Sequence, residues 1–261
     1  MTPEHDQALL ALTALWPGTR LFMVGAQALV VHRKMTPERV THDLDLAIDV
    51  AVEELQAVML SSDHWRPDPA QEQRWLHHGG APVDLVAIGG NHLAQGFLQW
   101  PRTGARMNLA GFELLAHTSV KMEQAGHPMI ELPPPEVIAI LKMAAWLDRP
   151  AERGRDLEDL AHLCDHYLDP LDERMFLGRA AELGLFDESA NAYLLGLDIG
   201  RLLRPDPNGV PQRFLDRMRT HAPSLIALVQ RWSTVRDEAD ALERLSLLED
   251  GLNSGPGPTA S

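Results

Sequence analysis

Thr41-His42-Asp43-Leu44-Asp45-Leu46-Ala47-Ile48-Asp49 is the stretch whose reading decides the fold. In an extended strand alternate side chains point to opposite faces. Leu44, Leu46 and Ile48 therefore line one side, while Asp43, Asp45 and Asp49 line the other. At about 3.3 Å of rise per residue, the Cα atoms of Asp43 and Asp45 lie roughly 7 Å apart, so their carboxylates can converge on one or two divalent cations. Like charges that close repel unless something positive sits between them. A hard ion such as Mg²⁺ or Mn²⁺, which takes oxygen ligands, suits the place. The same alternation serves any half-solvated strand edge, so the neighbouring segments have to decide.

On the N-terminal side, Leu21-Phe22-Met23-Val24 reads as a short buried strand, Gly25 follows it, and Ala26 to Lys34 reads as a helix. A strand, a glycine and a helix bring backbone N–H groups and the positive end of a helix dipole to one spot, which suits phosphate. Glycine also stands at such turns simply because the backbone bends there. Gln7 to Leu15 is an earlier short helix, ended by Trp16-Pro17-Gly18.

On the C-terminal side, Val52 to Leu60 reads as a helix and Ser61 to Ala70 as a polar loop. Arg74 to His78 and Pro82 to Ile88 form a hairpin about His78-Gly79-Gly80-Ala81. Its second strand carries one acid, Asp84, in an apolar run. An unpaired buried carboxylate costs several kcal/mol, so Asp84 belongs at an edge or beside a cation and is a candidate third ligand. Asn91 to Gly104 is loop-like, and His117 to Gln124 with Pro128 to Leu132 form a second hairpin. Pro133-Pro134-Pro135 then changes the texture, because everything after it is helical in pattern. The organisation expected is an α/β core over residues 1–134, a helical domain completing the site over 135–250, and a disordered Gly-, Pro- and Ser-rich tail over 251–261.

The helix Glu136 to Asp148 is apolar almost all round, with Lys142 in its middle. That ammonium must snorkel out or meet an anion, and a triphosphate or a carboxylate cluster would serve equally. A basic loop, Arg149-Pro150-Ala151-Glu152-Arg153-Gly154-Arg155, leads to a helix opening at Asp156. Asp156 and Asp159 are three apart and share a helix face, although acids in a first turn also complement the dipole. His162 and His166 have metal-ligand spacing, but Leu163 stands where a zinc protease needs Glu. Cys164 reads as core packing.

The 261 residues are 45% apolar and 23% charged, ordinary for a globular protein. The N-terminus lacks a basic-then-apolar signal pattern and no apolar run of about 18 residues occurs, which reads as cytoplasmic with no membrane contact. A formal net charge of −14 disfavours tight nonspecific binding to a polyanion, since counterion release needs basic side chains.

Val24-Gly25-Ala26 before a helix, Arg39-x-Thr41-x-Asp43-x-Asp45, Asp84 in a strand, Lys142 in a proline-preceded helix and Arg155-Asp156-x-x-Asp159-Leu160 follow one another in order. Together they resemble the AbiEii/AbiGii-type nucleotidyltransferases, minimal members of the polymerase-β-like superfamily, from about Leu21 to Leu163. The resemblance implies a mixed-sheet nucleotidyltransferase core followed by a C-terminal helical bundle. It assigns Asp43, Asp45 and Asp84 to metal. It gives Gly25, Ala26, Arg39, Thr41, Lys142 and Arg155 to the nucleotide, and makes Lys142, Asp156 and Asp159 the later catalytic motif. Ala26 stands where the superfamily often has Ser, which leaves phosphate to backbone N–H groups. The activity implied is transfer of a nucleoside monophosphate from a triphosphate such as ATP, with Mg²⁺ or Mn²⁺, to an acceptor hydroxyl. RNA such as tRNA, a protein or a small molecule is the acceptor, and an antitoxin is the partner of a toxin. The rival is a catalytically silent fold-mate that binds nucleotide or a partner as a regulator.

Overall fold

The structure, a computed structural model, describes residues 2–35, 41–122, 129–204 and 209–254. The chain divides into two compact units, Met1–Arg33 with Pro37–Leu141, and Lys34–Thr36 with Lys142–Ser261.

The first unit opens with α1 (Pro3–Leu15), which begins four residues before the apolar run that predicts it. Thr2 and His5 form a reciprocal capping box, Pro3 stands in the first turn, and Glu4 and Asp6 complement the dipole. Polar start signals thus extend a helix whose periodicity shows only later.

A mixed sheet follows, in the order β3-β4-β5-β2-β1-β9-β8. Its strands are β1 (Leu21–Val24), β2 (Leu44–Ile48), β3 (Trp65–Pro67), β4 (Arg74–His77), β5 (Pro82–Ala87), β8 (Val120–Met122) and β9 (Ile130–Leu132). β2 runs antiparallel to β1 and parallel to β5, and β9 runs parallel to β1. The β4–β5 pair is the first expected hairpin, and the β8–β9 pair matches the second in part, because His117 and Thr118 belong to a helix and residues 123–128 lie outside the described residues. A separate ribbon joins β6 (Phe97–Gln99) to β7 (Arg106–Asn108). The helices of this unit are α2 (Gly25–Val31), α3 (Val52–Ser61), α4 (His92–Gln95) and α5 (Leu115–Thr118). All four residues of β1 are buried, as an interior strand flanked on both sides requires. On β2, Leu44, Leu46 and Ile48 are fully buried, and Ala47 is buried on the opposite face. Beside β1, Arg20 donates Nε to Oε1 of buried Glu131 on β9 at 2.7 Å, and its Nη2 reaches the Ala116 carbonyl at 3.0 Å.

Three expectations are corrected. The stretch Ser61 to Ala70 contains β3, which is only three residues long and ends in Pro67. Its place in the sheet comes from Trp65 packing opposite His77, not from any alternation in its own sequence. Asn91 to Gly104 is not all loop, because α4 and β6 lie within it. The helix expected to reach Lys34 ends at Val31, where the His32 ring bonds the Pro133 carbonyl at 2.8 Å and Arg33 turns left-handed.

Helix α6 (Pro135–Asp148) carries the chain from the first unit into the second. There follow α7 (Gly154–His166), α8 (Arg179–Glu182), α9 (Asp187–Leu202), α10 (Val210–Thr220), α11 (Ala222–Val229) and α12 (Glu238–Ser254). Helices α9 and α12 meet backbone to backbone. A Cβ on Gly196 or Gly200 would run into the carbonyls of Leu248 and Leu252, and one on Gly251 into the carbonyl of Tyr193. Small side chains allow axes this close. The tail expected from Gly251 onward is therefore corrected: Gly251 to Ser254 form the last turn of α12, and 255–261 lie outside the described residues. Nearby, buried Asp165 accepts from Trp232 Nε1 at 2.8 Å and Thr234 Oγ1 at 2.6 Å. Burial pushes its pKa up against these hydrogen bonds.

Gly251→Ala is expected to destabilise the protein by about 2–3 kcal/mol, since neither backbone can yield without parting the helices. That corresponds to a thermal midpoint lower by roughly 5–10 °C. A midpoint within about one degree of the wild type would refute backbone contact between α9 and α12.

Candidate active site

The register of the first unit carries four residues into one transverse row. Val24 on β1 stands opposite Asp45 on β2, Asp45 opposite Asp84 on β5, and Asp84 opposite Arg74 on β4. Residues paired in this way project from the same face of the sheet. Two carboxylates on neighbouring strands, with backbones about 4.8 Å apart, would repel. Arg74 answers that charge. Its Nε donates to Asp84 Oδ1 at 2.7 Å, its Nη2 to Asp84 Oδ2 at 3.0 Å and also to Asp43 Oδ2 at 2.6 Å. Hydrogen bonding to Asp84, with the charges of Asp84, Asp43 and Asp45, holds the guanidinium above its ordinary pKa despite burial. The cluster is half-open, with side-chain exposures of 21% for Arg74, 15% for Asp84 and 36% for Asp43. Thr41 Oγ1 donates to Asp43 Oδ1 at 3.2 Å. The lone acid in the apolar strand thus has its cation.

Gly25 lies directly beneath this row. Its φ is +67°, and a Cβ there would collide with the Asp45 carboxylate. Both facts demand glycine: the left-handed backbone disfavours a side chain, and the carboxylate occupies the space one would need. Ala26 behind it is buried. Arg39 lies outside the described residues.

Among the described residues, no three His, Cys, Asp or Glu side chains close on one point as an all-protein metal cage would. Mg²⁺, however, is commonly held by one or two carboxylates together with substrate phosphates. Asp43 and Asp45 are donors of that kind, and the guanidinium drawn onto Asp43 and Asp84 shows that this end of the sheet collects positive charge. The residues therefore fit a divalent ion that arrives with a nucleotide.

The later motif lies in the second unit. Lys142 Nζ on α6 meets Asp156 Oδ1 at 2.9 Å and Asp159 Oδ2 at 2.5 Å, both on one face of α7. All three are buried, at 4%, 8% and 3% exposure. Burial by itself would lower the Lys142 pKa, but the two carboxylates together keep it above its ordinary value. The ammonium that the sequence leaves between phosphate and carboxylate is thus in contact with carboxylates. Leu157, Leu160, Ala161 and Cys164 form the buried stripe of α7 as its spacing implies. Arg155 is exposed on its first turn. The His162 and His166 rings lie 4.5 Å apart.

Residues 103–242 match the family described as "Nucleotidyl transferase AbiEii toxin, Type IV TA system". This is more than half of the chain, and it includes Lys142, Arg155, Asp156 and Asp159. The chain belongs to the AbiEii nucleotidyltransferase family. It is accordingly an enzyme of the nucleotidyltransferase class. The matched stretch begins at Thr103, so Gly25, Asp43, Asp45, Arg74 and Asp84 precede it. No curated protein matches the chain. Sequence reasoning missed Arg74, because counting outward from the His78 to Ala81 turn pairs Arg74 with Leu85, and only the actual register, with Leu76 opposite Pro82, sets it against Asp84.

Lys142→Met, which leaves two buried acids without their cation, is expected to cost about 3–5 kcal/mol in the stability of the helical unit. The raised pKa sets the sign of the pH dependence. The contribution of Lys142 is complete below its unfolded value of 10.5 and is lost only as pH climbs through the higher folded value. Urea midpoints of wild type and variant should therefore differ most at neutral pH and draw together only as pH rises above 10.5. A constant gap across that range would contradict the assignment.

Proposed function

We propose that this enzyme moves a nucleoside monophosphate from a nucleoside triphosphate, ATP among them, to an acceptor hydroxyl. Asp43 and Asp45 hold Mg²⁺ or Mn²⁺ for the purpose. The observation that supports this most directly is the row of Asp45, Asp84 and Arg74 in register above the left-handed Gly25, in a chain of a nucleotidyltransferase family. When bound, the metal supplies Lewis-acid stabilisation of the charge that builds on the phosphoryl oxygens. The chain's own residues do the rest. The side-chain-free backbone at Gly25 admits phosphate closely, Thr41 steadies one oxygen of Asp43, and Asp84 keeps Arg74 at the mouth of the row. Lys142, Asp156 and Asp159 brace α6 against α7, and the exposed Arg155 precedes Asp156 on the first turn of α7.

The role that accords with the family is that of a cytoplasmic toxin paired with an antitoxin, acting on RNA such as tRNA, on a protein or on a small molecule. The formal charge of −14 weighs against a polyanionic acceptor.

Label transfer from each α-labelled nucleoside triphosphate to total RNA, to protein and to small-molecule extract, with Mg²⁺ or Mn²⁺, tests the reading. Wild type should label one of the three acceptor classes, and Asp43→Asn and Asp45→Asn should each reduce transfer on the order of 100-fold or more. No transfer under any condition, or undiminished transfer by both variants, would overturn it.

A further inference from the structure

The three hydrogen bonds of Arg74 are unequal, and that inequality carries a consequence. Asp84 is gripped on both oxygens, by Nε and Nη2, which is the planar fork geometry that fixes a guanidinium in orientation. Asp43 is touched on one oxygen only, through the Nη2 already shared with Asp84, and it is the more exposed of the two acids. Breaking the Asp43 contact leaves Arg74 anchored on Asp84. Breaking the Asp84 contacts would release it altogether. Moreover, Asp84 has both oxygens in this grip, whereas among the described residues Asp43 retains an oxygen bonded only by the Thr41 hydroxyl.

We infer that Arg74 is the resident cation of the acid row, that divalent metal displaces it from Asp43 alone, and that the freed edge of the guanidinium then binds the triphosphate of the incoming nucleotide, with Asp84 as the residue that positions it. This rests on the nucleotidyl-transfer reading of the same site. It gives Asp84 a task other than metal ligation, and it adds a phosphate-binding residue that no motif of the sequence named. The charges support the exchange. A divalent ion that takes over Asp43 compensates the carboxylate charge the guanidinium leaves, so Arg74 can stay on Asp84. A guanidinium released from one carboxylate beside a polyphosphate finds an anion of matching geometry.

Two binding measurements without turnover separate the possibilities: Mn²⁺ affinity by electron paramagnetic resonance in the absence of nucleotide, and affinity for inorganic tripolyphosphate in saturating Mg²⁺ by calorimetry. The second probe needs no knowledge of the base. Arg74→Gln is expected to bind Mn²⁺ at least about threefold more tightly, because a competing charge has gone. It should bind tripolyphosphate about tenfold more weakly, because a bidentate cation has gone. Arg74→Lys should keep near-wild-type Mn²⁺ affinity and recover only part of the tripolyphosphate affinity. A merely structural arginine would move the two affinities in the same direction or leave both alone, and either result overturns the proposal. Asp84→Asn should retain Mn²⁺ affinity within about twofold while weakening tripolyphosphate, since Arg74 loses its anchor. Loss of Mn²⁺ binding as severe as in Asp43→Asn would make Asp84 a metal ligand and also overturn it. Should Asp43→Asn and Asp45→Asn bind Mn²⁺ as wild type does, the parent reading of the site fails. If they lose Mn²⁺ while Arg74→Gln shifts neither affinity, only the present inference fails. Circular dichroism and thermal midpoints identify any variant that has not folded, and Arg74→Lys supplies the test if Arg74→Gln does not.

Discussion

The pairing of Arg74 with Asp84 is the constraint on which the rest of the first unit depends. Parallel pairing of β2 and β5 sets Asp45 beside Asp84, an arrangement that like charges resist. The hairpin from β4 to β5 delivers a guanidinium to the next place in the same row and makes the arrangement tolerable. Sheet register, charge balance and the left-handed Gly25 beneath Asp45 are therefore one solution and not three. Shifting β2 by one residue would turn its acids into the core and Leu44, Leu46 and Ile48 out of it.

Two ion clusters of similar composition, two or three carboxylates about one cation, behave differently because of where they lie. Lys142, Asp156 and Asp159 have side-chain exposures of 5%, 11% and 3%, where exchange of partners would strand a charge away from water. Arg74 and its acids are several times more open, so water or an incoming ion can take over a contact as it breaks. The first cluster is suited to holding two helices in a fixed relation. The second is suited to changing partners.

The support for the functional assignment comes from separate parts of the chain. The family match covers residues 103–242 and with them the buried lysine motif, whereas the acid row and the Gly25 turn lie before it and rest on strand register and geometry. The family match and the acid row thus rest on different residues of the chain.

The local pattern of the chain was enough to determine β1, β2, the β4–β5 hairpin and the helical second half, and it singled out Asp43, Asp45 and Asp84, which strand register and Arg74 draw together. Periodicity of two or 3.6 and a polar residue in an apolar run are properties of a few adjacent positions. The same spacing put Asp156 and Asp159 on one face but left Lys142 to choose between a phosphate and a carboxylate. That choice depends on which helix packs beside it, and the first of its acids, Asp156 on α7, lies 14 residues further on. Elements stabilised by distant partners were likewise illegible: β3 exists because β4 does, and the turn from Gly251 to Ser254 is helical because α9 presents Gly196 and Gly200 to it. Arg74 shows the boundary most clearly. Counting from the His78 to Ala81 turn sets it opposite Leu85 and not Asp84, and its contact with Asp43, 31 residues away, arises only when β2 and β5 lie side by side. Sequence therefore chose the residue types and their local geometry, and tertiary pairing decided which charges met, because electrostatic partners are set by distance in space and not along the chain.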